Sequence, residues 1–292
     1  MSTYKNCYEL VSSMRRRLNE YSAAKVQGTD TTGAYLNELI VEKINESIRE
    51  LYGFIARRSP NLFLGEASLT GVNSVFTLPW DFGKLLLFNN DKGRKVYPIA
   101  QDERKPTDST GSDRLYYRKG NTLVLDKSGI TKTYDLIYRK KPRNIHLGKA
   151  SAGAATSITL DVTYAPKIAD YFNGMTIENI TQDWVDEIDD YTAARVATIS
   201  ETAAANDYYG IVPEIPEEVH HLIAPRATML IVEESPVGQK TNVSGDEYNT
   251  WLEQLKVALL EITDESGDTD WEEMFTSFEP NVPLGSGIIT SE

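Results

Sequence analysis

The stretch from Pro142 to Pro216 constrains this chain most. Before it, Leu136–Lys141 reads as a strand that ends at a proline; after it, Pro213–Ile223 reads as the entry to a helix. Between them lie runs too short for helices, separated by Gly, Asn and Asp. Thr156–Val162 alternates, and Tyr171–Ile177 sets Asn173-Gly174 at a tight turn. Glu187–Thr192 and Arg195–Ile199 read as two further strands or a hairpin, and Tyr208–Pro213 brings the chain back. Period-2 sequence is thus spliced between segments of helical period.

The flanks set the rest of the plan. Residues 3–24 carry Tyr4, Tyr8, Val11, Leu18 and Tyr21 at helical spacing. Residues 34–58 form a long helix striped by Leu36, Ile40, Ile44, Ile48, Leu51 and Ile55, with Glu42, Glu46 and Glu50 on the wet side. Arg57 and Arg58 suit its C-terminal dipole, and Pro60 closes it. From Leu69 the period falls to two. Lys84–Phe88 fits a buried strand or a short helix, Arg114–Leu125 fits a β-hairpin, and residues 132–138 put Tyr134, Leu136 and Tyr138 on one strand face. Residues 217–234 return to helix, where Pro225 predicts a kink or a late start, and residues 246–262 give the last helix. The expected fold is α+β: a helical bundle with β-hairpins and an inserted small β domain. Residues 1–142 and 213–263 would form the core, 143–212 the insertion and 264–292 an acidic C-terminal tail.

Chemical signatures are sparse. There is no Gly-x-x-x-x-Gly-Lys-Ser/Thr loop, no Gly-x-Gly-x-x-Gly fingerprint and no Gly-x-Ser-x-Gly elbow. The single Cys7 excludes an internal disulfide and reads as a small apolar residue of the first helix. Of the three histidines, His220 and His221 point roughly 100° apart on a helix, a poor arrangement for one metal, and His146 stands alone. The acidic runs Asp183–Asp190 and Asp264–Asp270 lack the order of a calcium loop and read as solvated faces. No catalytic, cofactor-binding or metal-binding residue is therefore nominated, and no enzyme activity is expected. No apolar run approaches the ~18 residues that span a bilayer, and the polar N-terminus lacks a signal core, so assembly in a cytoplasm without a membrane partner is expected.

Charge is informative where motifs are not. The net charge of -13 conceals a split: residues 84–143 hold 15 Lys/Arg against 7 Asp/Glu, while the rest hold 15 against 36. Residues 264–292 hold 8 acidic residues and no Lys or Arg. Such a split favours self-assembly between opposite faces, or a basic partner for the tail. In that tail Trp271, Met274, Phe275 and Phe278 follow i, i+3, i+4, i+7 spacing. Exposed aromatics of this kind need burial against a neighbouring subunit or the chain's own helices. These four, with the cations Arg57, Arg58, Arg139, Lys140 and Lys141, are the candidate partner interface.

The order of elements resembles the head-to-tail adaptor (connector) proteins of tailed double-stranded DNA bacteriophages. The likeness rests on the helix 36–58, on Phe76-Thr-Leu-Pro-Trp-Asp-Phe82 and on the hairpin Tyr116–Leu125. It continues through Tyr138–Pro142 and through Ile215–Ile223 leading into the closing helices. Within the insertion, Asp170–Met175 and Ile188–Thr192 are similar to β modules of phage structural proteins. The resemblance implies a structural virion protein at the neck: a ring, a dodecamer of self-associated copies, beneath the portal protein. It would be a docking platform for tail or neck proteins, with packaged double-stranded DNA passing through its lumen without sequence readout. Two other classes fit the residues. One is a carbohydrate- or ligand-binding module with Tyr164, Tyr171, Phe172 and Trp184 as an aromatic platform; the other is a hydrolase with a carboxylate pair assembled in space.

Overall fold

A computed structural model describes residues 5–29, 32, 35–100, 112–234 and 245–262 of the chain. Helix α1 (Cys7–Arg17) begins at Asn6, whose side chain accepts from Glu9 N–H at 2.9 Å, and ends before Asn19, which takes a left-handed φ of 56°. That break divides the predicted first helix, and the short α2 (Ala23–Val26) follows, capped by Ser22. Helix α3 (Asn37–Arg58) buries its predicted stripe at Ile40, Ile44, Ile48, Leu51 and Ile55, while Leu36 is left exposed at its N-cap. A 3-10 turn at Pro60–Phe63 then hands the chain to the first strands.

Seven strands follow: β1 (Leu64–Thr70), β2 (Val75–Thr77), β3 (Phe82–Asn89), β4 (Tyr97–Pro98), β5 (Leu115–Lys119), β6 (Thr122–Leu125) and β7 (Thr133–Lys140). They make two sheets, β1-β7-β3 and β2-β6-β5-β4. Lys84–Phe88 resolves as strand, with a bulge between Leu85 and Leu87 that turns Leu86 outward. Tyr134, Leu136 and Tyr138 are buried, as the alternation predicts, and with Phe76, Phe82, Phe88 and Tyr116 they fill a core between the sheets. Phe76 and Phe88 meet edge to face at 5.5 Å. Gly65 lies opposite Tyr138, and a Cβ there would sit 2.6 Å from its ring, so glycine permits that packing.

Eight more strands occupy residues 147–211: β8 (Leu147–Lys149), β9 (Ala152–Ala154), β10 (Ser157–Thr159), β11 (Thr176–Asn179), β12 (Trp184–Glu187), β13 (Asp190–Tyr191), β14 (Val196–Thr198) and β15 (Tyr208–Ile211). Their sheets run β13-β14-β10-β9 and β12-β11-β15-β8. A 3-10 turn at Glu217–Val219 then leads into α4 (His220–Glu234), which contains Pro225, and α5 (Gly245–Ile262) completes the described chain.

The expected helical bundle with a small inserted β domain is not what forms. Among the described residues β-structure dominates the architecture, with four sheets of three or four strands and only five α-helices. The reason lies in what the strands bury. Ile158, Ile177, Ile188, Tyr191, Tyr209 and Ile211 join Leu10, Met14, Ile44, Phe54, Leu222 and Leu259 in one hydrophobic cluster, so these strands share the helices' core. Asn6 Nδ2 donates to the Glu178 carboxylate on β11, and Gly210 on β15 leaves room for the Asn6 side chain and the Tyr8 amide to approach closely. Asn45 of α3 is buried and clamps residue 145 at both ends: its Nδ2 donates to Ile145 O at 3.1 Å and its Oδ1 accepts from Ile145 N–H at 2.7 Å. Such two-point bonds satisfy backbone groups where the helix meets the segment between β7 and β8 away from water.

Candidate functional site

Two features position chemistry. The first is a basic corner. Arg57 and Arg58 end α3; Arg139 and Lys140 end β7, and Lys141 follows. The elements meet there. Leu64 of β1 pairs with Arg139, Tyr52 of α3 donates its hydroxyl to Lys140 O, and the Tyr52 ring packs on Phe63 at 4.2 Å. Burial pushes the Tyr52 hydroxyl up to about 12, against the lowering influence of the nearby Arg139, so it stays a donor. Arg57, Lys140 and Lys141 are exposed, and Arg139 Nε is buried with no hydrogen-bond partner among the described residues. The five predicted cations thus sit on the adjoining ends of α3 and β7. Their predicted companions Trp271, Met274, Phe275 and Phe278 lie outside the described residues.

The second feature is a cleft of about 830 Å³ between α3 and the segments 144–149 and 161–172. Glu38, Glu42 and Arg49 line one wall; Lys149, Asp161 and Tyr164 line the other. Tyr164 bonds the Glu38 carboxylate across it, which raises the tyrosine's pKa. At the base His146 is buried and lies 3.0 Å from the Tyr209 hydroxyl, which accepts from Asp161 N–H at 2.9 Å. Burial lowers the His146 pKa to about 4 and raises that of Tyr209 well above its usual range, so the phenol keeps its proton and donates it to a neutral imidazole. His220 is likewise buried: Lys5 N–H donates to its Nδ1 at 3.2 Å, leaving Nε2–H for Ile215 O at 2.8 Å. Both imidazoles are bonded into the core, and the exposed His221 is not grouped with them. Cys7 is fully buried, and burial pushes its thiol pKa up.

The four candidate platform aromatics do not form one surface. Phe172 is buried, Tyr171 is half-buried and stacks on Trp80 at 5.0 Å, and only Tyr164 stands open on the cleft. Trp184 lies elsewhere, its Nε1–H donating to Thr202 O at 2.9 Å. Asp186 accepts from Ser200 Oγ at 2.9 Å and from the Ser200 and Glu201 amides, so this acid of the 183–190 run serves a turn. Among the described residues no group of three His, Cys, Asp or Glu side chains could hold a metal ion. No helix among them is long and apolar enough to cross a membrane. The cleft walls escaped sequence reasoning because Glu38 and Asp161 stand 123 positions apart and carry no local signature.

Compared with known proteins, the chain matches no family model and no curated protein.

Proposed function

We propose that the chain is a structural protein of a phage neck, one subunit of a ring between portal and tail through which packaged DNA passes. The observation that carries this reading is the segregation of charge by core. Residues 64–141, which have their own aromatic core, hold 14 Lys/Arg against 9 Asp/Glu; the remaining residues hold 16 against 34. One chain thus presents a cationic body and an anionic body. Contacts between unlike faces of identical copies are heterologous, and they close into a ring when the rotation allows. Net negative charge elsewhere suits a lumen that must let phosphate backbones slide without adhering. The basic corner at Arg57, Arg58 and Lys140–Lys141 offers a docking point for the portal or for a neighbouring copy. No bond is made or broken in this mechanism.

The test is electron microscopy of the purified chain, alone and with the portal protein of the same genome, at low and high salt. The expected result is a closed ring that stacks coaxially on the portal and loosens as salt screens the unlike charges. A chain that stays monomeric at every concentration and ignores the portal would overturn the reading.

A further inference from the structure

The outer face of the β1-β7-β3 sheet has no cover among the described residues. Across its strands Leu64, Arg139 and Lys84 form one row, and Glu66, Ile137 and Leu87 the next. Farther along, Ser68 bonds Asp135 at 2.8 Å and Thr70 bonds Thr133 at 3.0 Å, both pairs exposed. Beyond β3 the face continues onto the next segment through the Asn89–Lys95 bridge and the Val96 N–H bond to Phe88 O. That register turns Lys95 and Tyr97 outward while Val96 is buried. Leu64 is 37% exposed, Leu86 40% and Tyr97 47%. The face therefore sets Ile137 and Leu87 between Lys84 and Arg139 on one side and Lys95 on the other, with Glu66 and the Ser68-bonded Asp135 as its acids.

The end of the described chain points to an occupant. Helix α5 runs antiparallel to α4: Arg226 lies over the Tyr248 ring at 5.0 Å, and the Trp251 Nε1–H donates to Leu222 O at 3.0 Å. Its later turns reach Glu217–Val219, at the end of the helical layer where Trp251 meets Phe54 of α3. Ile262 thus leaves the fold at the end where α3 passes into β1. Trp271 follows nine residues later, a reach of up to about 30 Å when extended. Residues 270–279 alternate acids (Asp270, Glu272, Glu273, Glu279) with Trp271, Met274, Phe275 and Phe278. Their composition is the complement of the face: acids for its cations, large apolar rings for its leucines and tyrosine. The rest of the molecule is net negative and would repel them.

We infer that residues 270–279 dock on the outer β1-β7-β3 face of their own chain. A tethered segment meets its site at a high effective concentration, which favours the intramolecular contact over one with another copy. Its acids would reach Lys84, Lys95 and the incompletely bonded Arg139, and its rings would cover Leu86 and Tyr97. The inference stands apart from the ring reading, because it concerns the isolated subunit and survives if no portal binds.

Amide hydrogen exchange on the full-length chain tests it. The expected result is that W271S/F275S, or E272K/E273K, speeds exchange of the β3 and 95–97 amides about tenfold. K84E/K95E should do the same, and combining K84E/K95E with E272K/E273K should restore protection, the signature of a direct charge contact. Protection that is unchanged in all variants would overturn the proposal. So would protection that rises with protein concentration, which would make a second copy the occupant. Wild-type amides on this face that are slowed only by added duplex DNA would identify a nucleic-acid surface instead.

Discussion

Among the described residues, seven of the forty buried in the core shared by helices and β8–β15 are aromatic, and six of the eleven in the β1–β7 core. The difference follows from size. Two small sheets enclose little volume, and large rings fill it with few side chains, as in the Phe76, Phe88 and Tyr134 cluster with centroids 4.8–5.5 Å apart. The larger core is spread over Ile, Leu and Ala, and bonded polar groups stitch its seams: Asn45 to residue 145, Ser47 Oγ to Ile223 O at 3.1 Å, and Arg226 to Glu50 at 2.7 Å. A thin core depends on each ring, whereas a broad one depends on satisfied polar seams.

The sharpest way to break this comparison is to remove one large side chain from each core. Phe76→Ala and Trp251→Ala should each cost about 4 kcal/mol. The distribution should differ. Phe76→Ala should raise hydrogen exchange across 64–141 and spare the helices. Trp251→Ala takes away the Leu222 bond, the Phe54 edge contact and the Arg226 cation, so it should loosen α3, α4, α5 and β8–β15 together. If both variants raise exchange equally everywhere, the chain unfolds as one unit and the contrast fails.

The second test uses pH, because the β1–β7 region contains no histidine while the larger core buries two. The His146 pKa falls from 6.5 in the unfolded chain to about 4 in the fold, chiefly through burial. Between these values the unfolded chain binds a proton that the native state does not. Stability from this group is therefore complete above pH 6.5 and declines as pH falls towards 4, by about 3 kcal/mol in all. His220 shifts in the same direction. Urea unfolding at pH 7 and pH 4 should show a smaller loss in His146→Asn than in the parent. An identical loss in both chains would place the pH sensitivity in the carboxylates.

How far the sequence could be read follows the same division. The α3 stripe, the last helix and the 114–125 hairpin were legible because each repeats its period several times within one element. The 143–212 region was not. Its strands are two to four residues long, and β9 is Ala-Gly-Ala, which offers no alternation to count. Nothing local says that Ile177 or Tyr209 packs against helices more than a hundred residues away, so strands that share the main core read as an insertion. The basic corner was legible as charge, since α3 and β7 both end in cations. The cleft was invisible, because Arg49 meets Asn144 at 2.9 Å only through the fold.

The smallest expected effect concerns the joint between the regions. Trp80, in the turn between β2 and β3, stacks on Tyr171 of the larger core at 5.0 Å and 24° between ring planes. Tyr171 is fixed from behind: its hydroxyl accepts from Asn144 N–H at 2.9 Å and its carbonyl accepts from Arg143 at 3.0 Å. One side of the joint is thus rigid, and Trp80 is 37% exposed on the other. Trp80→Ala should therefore cost only about 1 kcal/mol, the worth of one aromatic pair. Its consequence should be motional more than energetic, because the covalent links at 58–64 and 141–143 and the Tyr52–Lys140 bond remain. In solution scattering the variant should broaden its distance distribution while hydrogen exchange inside each core stays as in the parent. If exchange inside the cores rises instead, the stack is part of a shared core and the two regions are not separate bodies.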